Sequence, residues 1–447
     1  MLLHRLLAPL LALAIVSVVS AEWVSLFNGR DLTGWHQVNG TAPYAVVDGA
    51  IVGTPMTGSP NSFLVTDGTY GDFVFECEVK VEGLINSGIQ FRSLSSPDYR
   101  EGRVHGYQCE LGEKTDRNWT GGIYDEARRG WLYRPELNPS AKTAYRPGDW
   151  NHLRIECVGP SLRTWVNGIP VAHLIDDVTA RGFIGLQVHS IGKGSPDGKR
   201  IYWRNLRIRT DVAEPTPPEG TFVRNMIPNQ LAPAEQALGW RLLFDGSTAN
   251  GWRGAASETF PDRSWRIEDG ELIVIGLKSD DLATTDRYGA FDFQLEFKLT
   301  EGANSGIKYF ATESSGTYNS ATGLEYQLID DARHADAGKG AAGNRTLASL
   351  YDLIPSRTQV AGEEVPRKAG VWHHARIVVR SDKTVEHWLD GFMVVEFELG
   401  SPLFEALVAR SKYADIDGFA EVATTPIFLQ DHGDEVHFRS IKIRTLD

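Results

Sequence analysis

A chain of 447 residues is too long for one small domain, and its 42% apolar and 10% aromatic content, with 12 tryptophans, supplies packed cores and excludes a disordered chain. Asp plus Glu number 58 against 45 Lys plus Arg, a formal charge of −13 with no local basic patch, so nucleic acid is excluded as a partner and an uncharged or cationic small ligand is favoured. The 45 glycines among short β-branched and aromatic runs predict many strands joined by tight turns.

The chain opens on an apolar run from Leu6 to Val19 behind His4 and Arg5, with Val19 and Ala21 forming a small-residue site before Glu22. This pattern predicts a secretory signal peptide over residues 1–21 and export to the periplasm or medium. About fourteen apolar residues are short for a membrane span, and no later stretch approaches the ~20 required, so no span is expected. The three cysteines, Cys77, Cys109 and Cys157, all fall in strand-like runs of the first half. Their odd number leaves at least one thiol unpaired, and they read as small buried hydrophobes, with one structural disulfide as the alternative.

The main organising feature is an internal repeat. Trp23-Val-Ser-Leu-Phe-Asn-Gly-Arg-Asp-Leu-Thr-Gly-Trp35 recurs as Trp240-Arg-Leu-Leu-Phe-Asp-Gly-Ser-Thr-Ala-Asn-Gly-Trp252. In the same order, Asn86-Ser87-Gly88-Ile89 pairs with Asn304-Ser305-Gly306-Ile307, Trp165-Val-Asn-Gly168 with Trp388-Leu-Asp-Gly391, and Leu186-Gln187-Val-His189 with Leu429-Gln430-Asp-His432. Two domains follow, residues 22–210 and 239–447, separated by a linker over 211–238 whose DVAEPTPPEG start predicts an extended, solvated segment. Leu231 to Gly239 carries a predicted helical turn across the end of that linker, with Pro233 near its start and Gly239 as its stop.

Both copies alternate apolar and polar residues with period two, as in Phe73-Val-Phe-Glu-Cys-Glu-Val-Lys-Val81 and Phe291-Asp-Phe-Gln-Leu-Glu-Phe-Lys-Leu299, which predicts half-buried strands. Asn167-Gly168 and Asp390-Gly391 supply the two successive positive-φ residues of a type I′ hairpin turn. The Asn-Ser-Gly segments read as tight turns with a structural role. The predicted class is all-β, a jelly-roll-like β-sandwich written twice.

The motifs LFNGRDLTGW, NSGIQFR, GYQCELGE and GGIYDEARRGWL in the first copy, and LLFDG, NSGIKY, GLEYQLIDD, NRTLASLYDLIP, VEHWLDG and LQDHGDEVHFRSIKIR in the second, resemble the 3-keto-disaccharide hydrolase family. That family is also described as 3-keto-glucoside 1,2-lyase and 3-keto-2-hydroxy-glucal hydratase domains. The resemblance implies two tandem concanavalin-A-like jelly rolls, exported by bacteria and acting on oxidised sugars, in some members with a divalent metal. A ketone at C3 acidifies the hydrogen on C2, so a base can form an enolate that expels the aglycone from C1, and water then adds back. Such chemistry needs one general base, a cation or donors at the enolate oxygen and an acid for the leaving group, not the paired carboxylates of ordinary glycosidases. It also implies a sugar 3-oxidoreductase as a partner in the same pathway and a small carbohydrate as substrate.

On this reading Glu325 and Gln327 share one strand face, Glu325 or His432 is the base, and Tyr351 and Lys412 join the catalytic set of the second copy. Gln430, Asn344 and Arg345 are its substrate-binding candidates. Asp330, Asp331 and His334 are close enough in sequence to hold a divalent ion, although an acidic loop is also simply well solvated. In the first copy glutamine and glutamate have exchanged places. Its candidates are Glu110 and His189 for catalysis, with Gln108, Tyr124, Arg128, Trp131 and Gln187 for binding. Two rival readings share the fold: a lectin-like carbohydrate-binding protein without catalysis, and an ordinary glycosidase with two facing carboxylates.

Overall fold

The computed structural model describes residues 22–112, 118–192, 198–314 and 320–446; the predicted leader over 1–21 lies outside them. Period-two alternation forms sheets as expected, and each half of the chain builds two of them that pack face to face. In the first half, one sheet runs in the order Ile169–Ile175, Ser161–Val166, Asn151–Val158, Phe73–Val81, Ile201–Arg209, Ala50–Gly53 and Tyr44–Val47. The other runs Gly130–Tyr133, Ile123–Glu126, His105–Leu111, Ser87–Leu94, Phe183–Val188, Ser62–Thr66 and Trp35–Val38. Phe73, Phe75 and Cys77 of one sheet meet Ile89, Phe91 and Tyr107 of the other in a single core. Burying a phenylalanine there contributes about 1.5–3 kcal/mol.

The second half repeats this arrangement with Trp265–Glu268, Glu271–Val274, Val436–Thr445, Phe291–Leu299, His373–Val379, Thr384–Leu389 and Phe392–Glu398 in one sheet. Its partner holds Trp252–Gly254, Leu282–Thr284, Phe428–Leu429, Asn304–Ser314 and Ser320–Ile329. The repeat extends to single hydrogen bonds: the indoles of Trp35 and Trp252 donate to Leu26 O and Leu243 O, each at 2.7 Å. Asn167 and Gly168 have φ of 50° and 80°, and Asp390 and Gly391 49° and 83°, the signature of the two predicted hairpins. All three cysteines are free and buried, as their setting in strands predicts.

The segment between the copies is docked rather than free. Thr216 N donates to Glu156 Oε1 at 2.7 Å, and Val223–Asn225 adds a parallel strand beside His173–Ile175. The predicted helical turn spans Pro233–Ala237, and its buried Glu235 pairs with Lys442 of the second copy at 2.5 Å. The acid and proline content that reads as solvated chain is thus offset by specific pairs to both copies. Trp388 and Val378 of the second half join the core of the first, so the two sandwiches share apolar surface.

Candidate functional site

In Ser320–Ile329, Leu324, Tyr326 and Leu328 enter the core, which turns Glu325 and Gln327 to the opposite face, because successive strand side chains alternate. Glu325 reaches a cavity of about 430 Å³ bounded by Lys278, Lys308, Lys412, Tyr413, Gln430 and His432. It is only 6% exposed, and among the described residues its carboxylate accepts no hydrogen bond. Lys308 is its cross-strand partner and donates to the buried Asp281 at 2.8 Å. Burial pushes the Glu325 carboxyl above its ordinary range, tempered by Lys308 and Lys412.

The Asn-Ser-Gly segments are not turns, contrary to the sequence expectation. They lie at the start of strands, and a Cβ on Gly306 would come within 2.4 Å of Glu325 Oε1. Glycine there leaves room for the Glu325 side chain to cross the neighbouring strand. Gly88 does the same for Gln108, whose Cδ would lie 2.4 Å from an added Cβ.

Lys412 comes from the long segment 399–427, which begins with the helix Pro402–Val408. Ser401 caps that helix by accepting from Phe404 N at 3.3 Å, with proline in its first turn. Phe404 is buried and stacks on Phe397, which fastens the segment to the sheet. Lys412 N donates to Asp352 at 2.8 Å, and its Nζ stands 4.1 Å from the centre of the Tyr351 ring and 4.9 Å from that of Tyr413. Burial lowers the Lys412 pKa, opposed by Glu325 and Asp352.

Tyr351 donates to Asp336 at 2.6 Å, while Arg345 pairs with both Asp336 and Asp352. Tyr351 and Arg345 therefore support Lys412 from beneath and do not line the cavity. Asn344 accepts from Ala341 N within its own loop, and Gln327 accepts from Leu328 N. Neither is among the cavity-lining residues.

The expected ion-binding set is not brought together. Asp330 accepts from Gly302 N and Ala332 N, and Asp331 accepts from Leu347 N and pairs with Arg367 at 2.9 Å, so both carboxylates fix loop backbone. His334 instead joins His432 and Asp434, with one ligand atom from each lying within 4.8 Å of the others. Two imidazoles and a carboxylate suit a divalent transition ion. Burial, with Lys278 and His334 nearby, lowers the His432 pKa and favours the neutral, ligating imidazole. Sequence reasoning missed Lys308, which strand pairing sets opposite Glu325, Asp281, which only packing brings to Lys308, and Asp434, whose one sequence signal is its place two residues after His432.

In the first copy, Glu110, Gln108, Tyr124, Trp131, Gln187 and His189 gather around a cavity of about 580 Å³ with Asn86 and Trp119. Gln108 Nε2 donates to Glu110 at 2.8 Å, and Asn86 donates to its other oxygen. Burial pushes the Glu110 carboxyl up to about 7. Arg128 is not a lining residue: its guanidinium donates to Asp125 at 2.7 Å and to Thr179 at 2.7 Å.

The curated 3-keto-disaccharide hydrolase of Bacteroides thetaiotaomicron is 32% identical over 245 residues, which cover 47% of this chain and 80% of that protein. A candidate glycosyl hydrolase of known structure from Parabacteroides distasonis ATCC 8503 is 28% identical, covering 49% of this chain and all of its own, with a TM-score of 0.44. The carbohydrate-binding module CBM66 from Bacillus subtilis is 18% identical over 40% of this chain and 96% of its own, with a TM-score of 0.29. The model of the 3-keto-alpha-glucoside-1,2-lyase-like domain matches residues 22–209 and again 239–444, so this chain belongs to that family and carries its domain twice.

Proposed function

We propose that the chain cleaves 3-keto-glucosides, net hydrolysis by elimination and hydration, and that the second copy performs the cleavage. The observation that carries this reading is the unpaired, buried Glu325 facing Lys308 and Lys412 in a cavity with no second carboxylate among its described lining residues. A lone base beside cations suits proton removal next to a ketone, whereas an ordinary glycosidase needs two facing carboxylates.

Glu325 removes the C2 proton, and the electron pair moves onto the C3 oxygen as an enolate. Lys412, with a lowered pKa, stabilises that oxygen by hydrogen bonding and charge. The enolate then collapses to the ketone, the C1–C2 double bond forms, and the C1–O bond breaks with its electrons leaving on the aglycone oxygen. The proton held by Glu325 balances that oxygen. Water then adds its hydroxyl to C1 and its proton to C2. Gln430 lines the same cavity with its Oε1 unpartnered and buried, available to a sugar hydroxyl.

His334, His432 and Asp434 are the residues that would hold a divalent ion, in place of the Asp330 and Asp331 expected from sequence. Such an ion supplies Lewis-acid polarisation of sugar oxygens. The leader-like segment 1–21 supports export, and a substrate oxidised at C3 requires an oxidoreductase acting earlier.

Product analysis with a 3-keto-glucoside and its unoxidised parent in heavy water tests the reading. Cleavage of the keto substrate alone, with deuterium at C2 and loss of activity in Glu325→Gln, is expected. Cleavage of the parent sugar, or full activity in Glu325→Gln, would overturn it.

A further inference from the structure

The two copies place their cavity residues in the same register, which allows position-by-position comparison. Ile307 pairs with Leu429 as Ile89 pairs with Leu186, so Lys308 corresponds to Gln90, Gln430 to Gln187 and His432 to His189. Lys308 faces Glu325 as Gln90 faces Gln108, and Gly306 faces Gln327 as Gly88 faces Glu110. Trp252 pairs with Thr284 as Trp35 pairs with Thr66, which aligns Asp281 with Phe63. The charged set Asp281, Lys308 and Glu325 is therefore replaced as a group by Phe63, Gln90 and Gln108.

In the first copy Gln90 Nε2 donates to Gln108 at 2.5 Å and Gln108 donates on to Glu110, so the replacement is a hydrogen-bonded run of amides and not a damaged ion pair. Lys412 has no counterpart either. Where the second copy has residues 399–427 between its strands, the first has only 176–182. The strand positions that supply a base and cations in one copy are neutral in the other.

The first copy's cavity keeps the Glu110 carboxyl, held by Gln108 and Asn86, and is built for a ligand. Gln187 is fully buried and lines it, and both its Nε2 and Oε1 lack a partner. An unpaired buried amide costs free energy unless something fills the cavity and bonds it. Trp131 is only partly buried, held edge-on by Trp119 and Tyr124 with ring centres at 4.5 and 5.4 Å. The rim cation Arg103 is paired with Glu126 at 3.3 Å. An aromatic wall beside free amide groups suits a sugar ring, with its apolar face and its hydroxyls.

We infer that the first copy's cavity is a second carbohydrate site, which takes an uncharged, unoxidised pyranoside by stacking on Trp131 and hydrogen bonding to Gln187, and which performs no elimination. The site holds saccharide beside the cleaving copy and needs no 3-keto group.

Calorimetry on the full chain carrying Glu325→Gln, titrated with methyl α- and β-glucoside and with trehalose, tests this. Saturable binding of at least one of them, accompanied by a change in tryptophan fluorescence, is expected. Trp131→Ala and Gln187→Leu should each weaken it at least about tenfold. Gln187→Leu removes an unsatisfied polar group, so the melting temperature of the free protein should not fall, which separates a ligand role from a structural one. Absence of saturable binding, or binding indifferent to both substitutions, would overturn the inference. So would 3-keto-glucoside cleavage that persists in Glu325→Gln and disappears when Glu110→Gln is added, an outcome that would move catalysis to the first copy.

Discussion

Replacing Lys308 by glutamine would copy the residue that occupies its place in the first sandwich, without the neighbours that make glutamine acceptable there. Asp281 is fully buried and Lys308 is 5% exposed, and their 2.8 Å contact is the ammonium's ion pair. Lys308→Gln leaves the Asp281 carboxylate buried without its cation, although Asp431 N still donates to it at 3.0 Å. Breaking one side of a buried pair costs about 3–5 kcal/mol. For a sandwich of this size each kcal/mol lowers the melting temperature by about 2–4 °C, so the second copy should melt about 6–20 °C earlier. Asp281→Asn in the same chain removes the stranded charge while keeping an acceptor for Asp431 N. The double variant should therefore lose less stability than Lys308→Gln alone. Calorimetric melting of both variants is the assay. A Lys308→Gln chain that melts with the parent, or a double variant whose losses simply add, would refute the claim that charge burial organises this cavity.

The raised Glu325 pKa places the acid limb of kcat/KM on keto substrate above the usual carboxylate range, since the ionised form is the base. Lys412→Ala removes a cation that lowers that pKa, so the limb should move to higher pH as the rate falls, and a pH–rate profile checks both. Burial holds the Glu110 carboxyl up at about 7 in the fold against the ordinary 4.5, so its protonated form favours folding and the stability it lends below 4.5 is lost as pH rises through 7. Glu110→Gln should flatten that part of the melting profile and stabilise the first copy at pH 8 by about 3 kcal/mol at most. Equilibrium dialysis against Zn²⁺ or Mn²⁺ should show binding that is lost in His334→Ala and Asp434→Asn but kept in Asp330→Asn, with stripping by a chelator. Retention after Asp434→Asn would discard the three-residue ion site.

Periodicity and repetition determined the sandwich class, the two copies and the family, because alternation is a local property and a repeated motif order needs no coordinates. They also placed Glu325 and Gln327 on one strand face, since two residues two apart on a strand must point the same way, whereas Gln430 and His432 reach their shared cavity from beyond the end of the strand Phe428–Leu429. Proximity in sequence misled where loops were concerned. Asp330 and Asp331 follow Glu325 closely, yet their oxygens are taken by loop backbone and by Arg367, and Arg128 is taken by Asp125. Strand pairing decided that Lys308 faces Glu325, and only the tertiary packing brought Asp281 to Lys308 and the His334 loop to His432 and Asp434, because those segments lie far apart in the chain. The replacement of Asp281, Lys308 and Glu325 by Phe63, Gln90 and Gln108 likewise exists only in register. Each residue in it is an ordinary strand residue until its cross-strand neighbour is known.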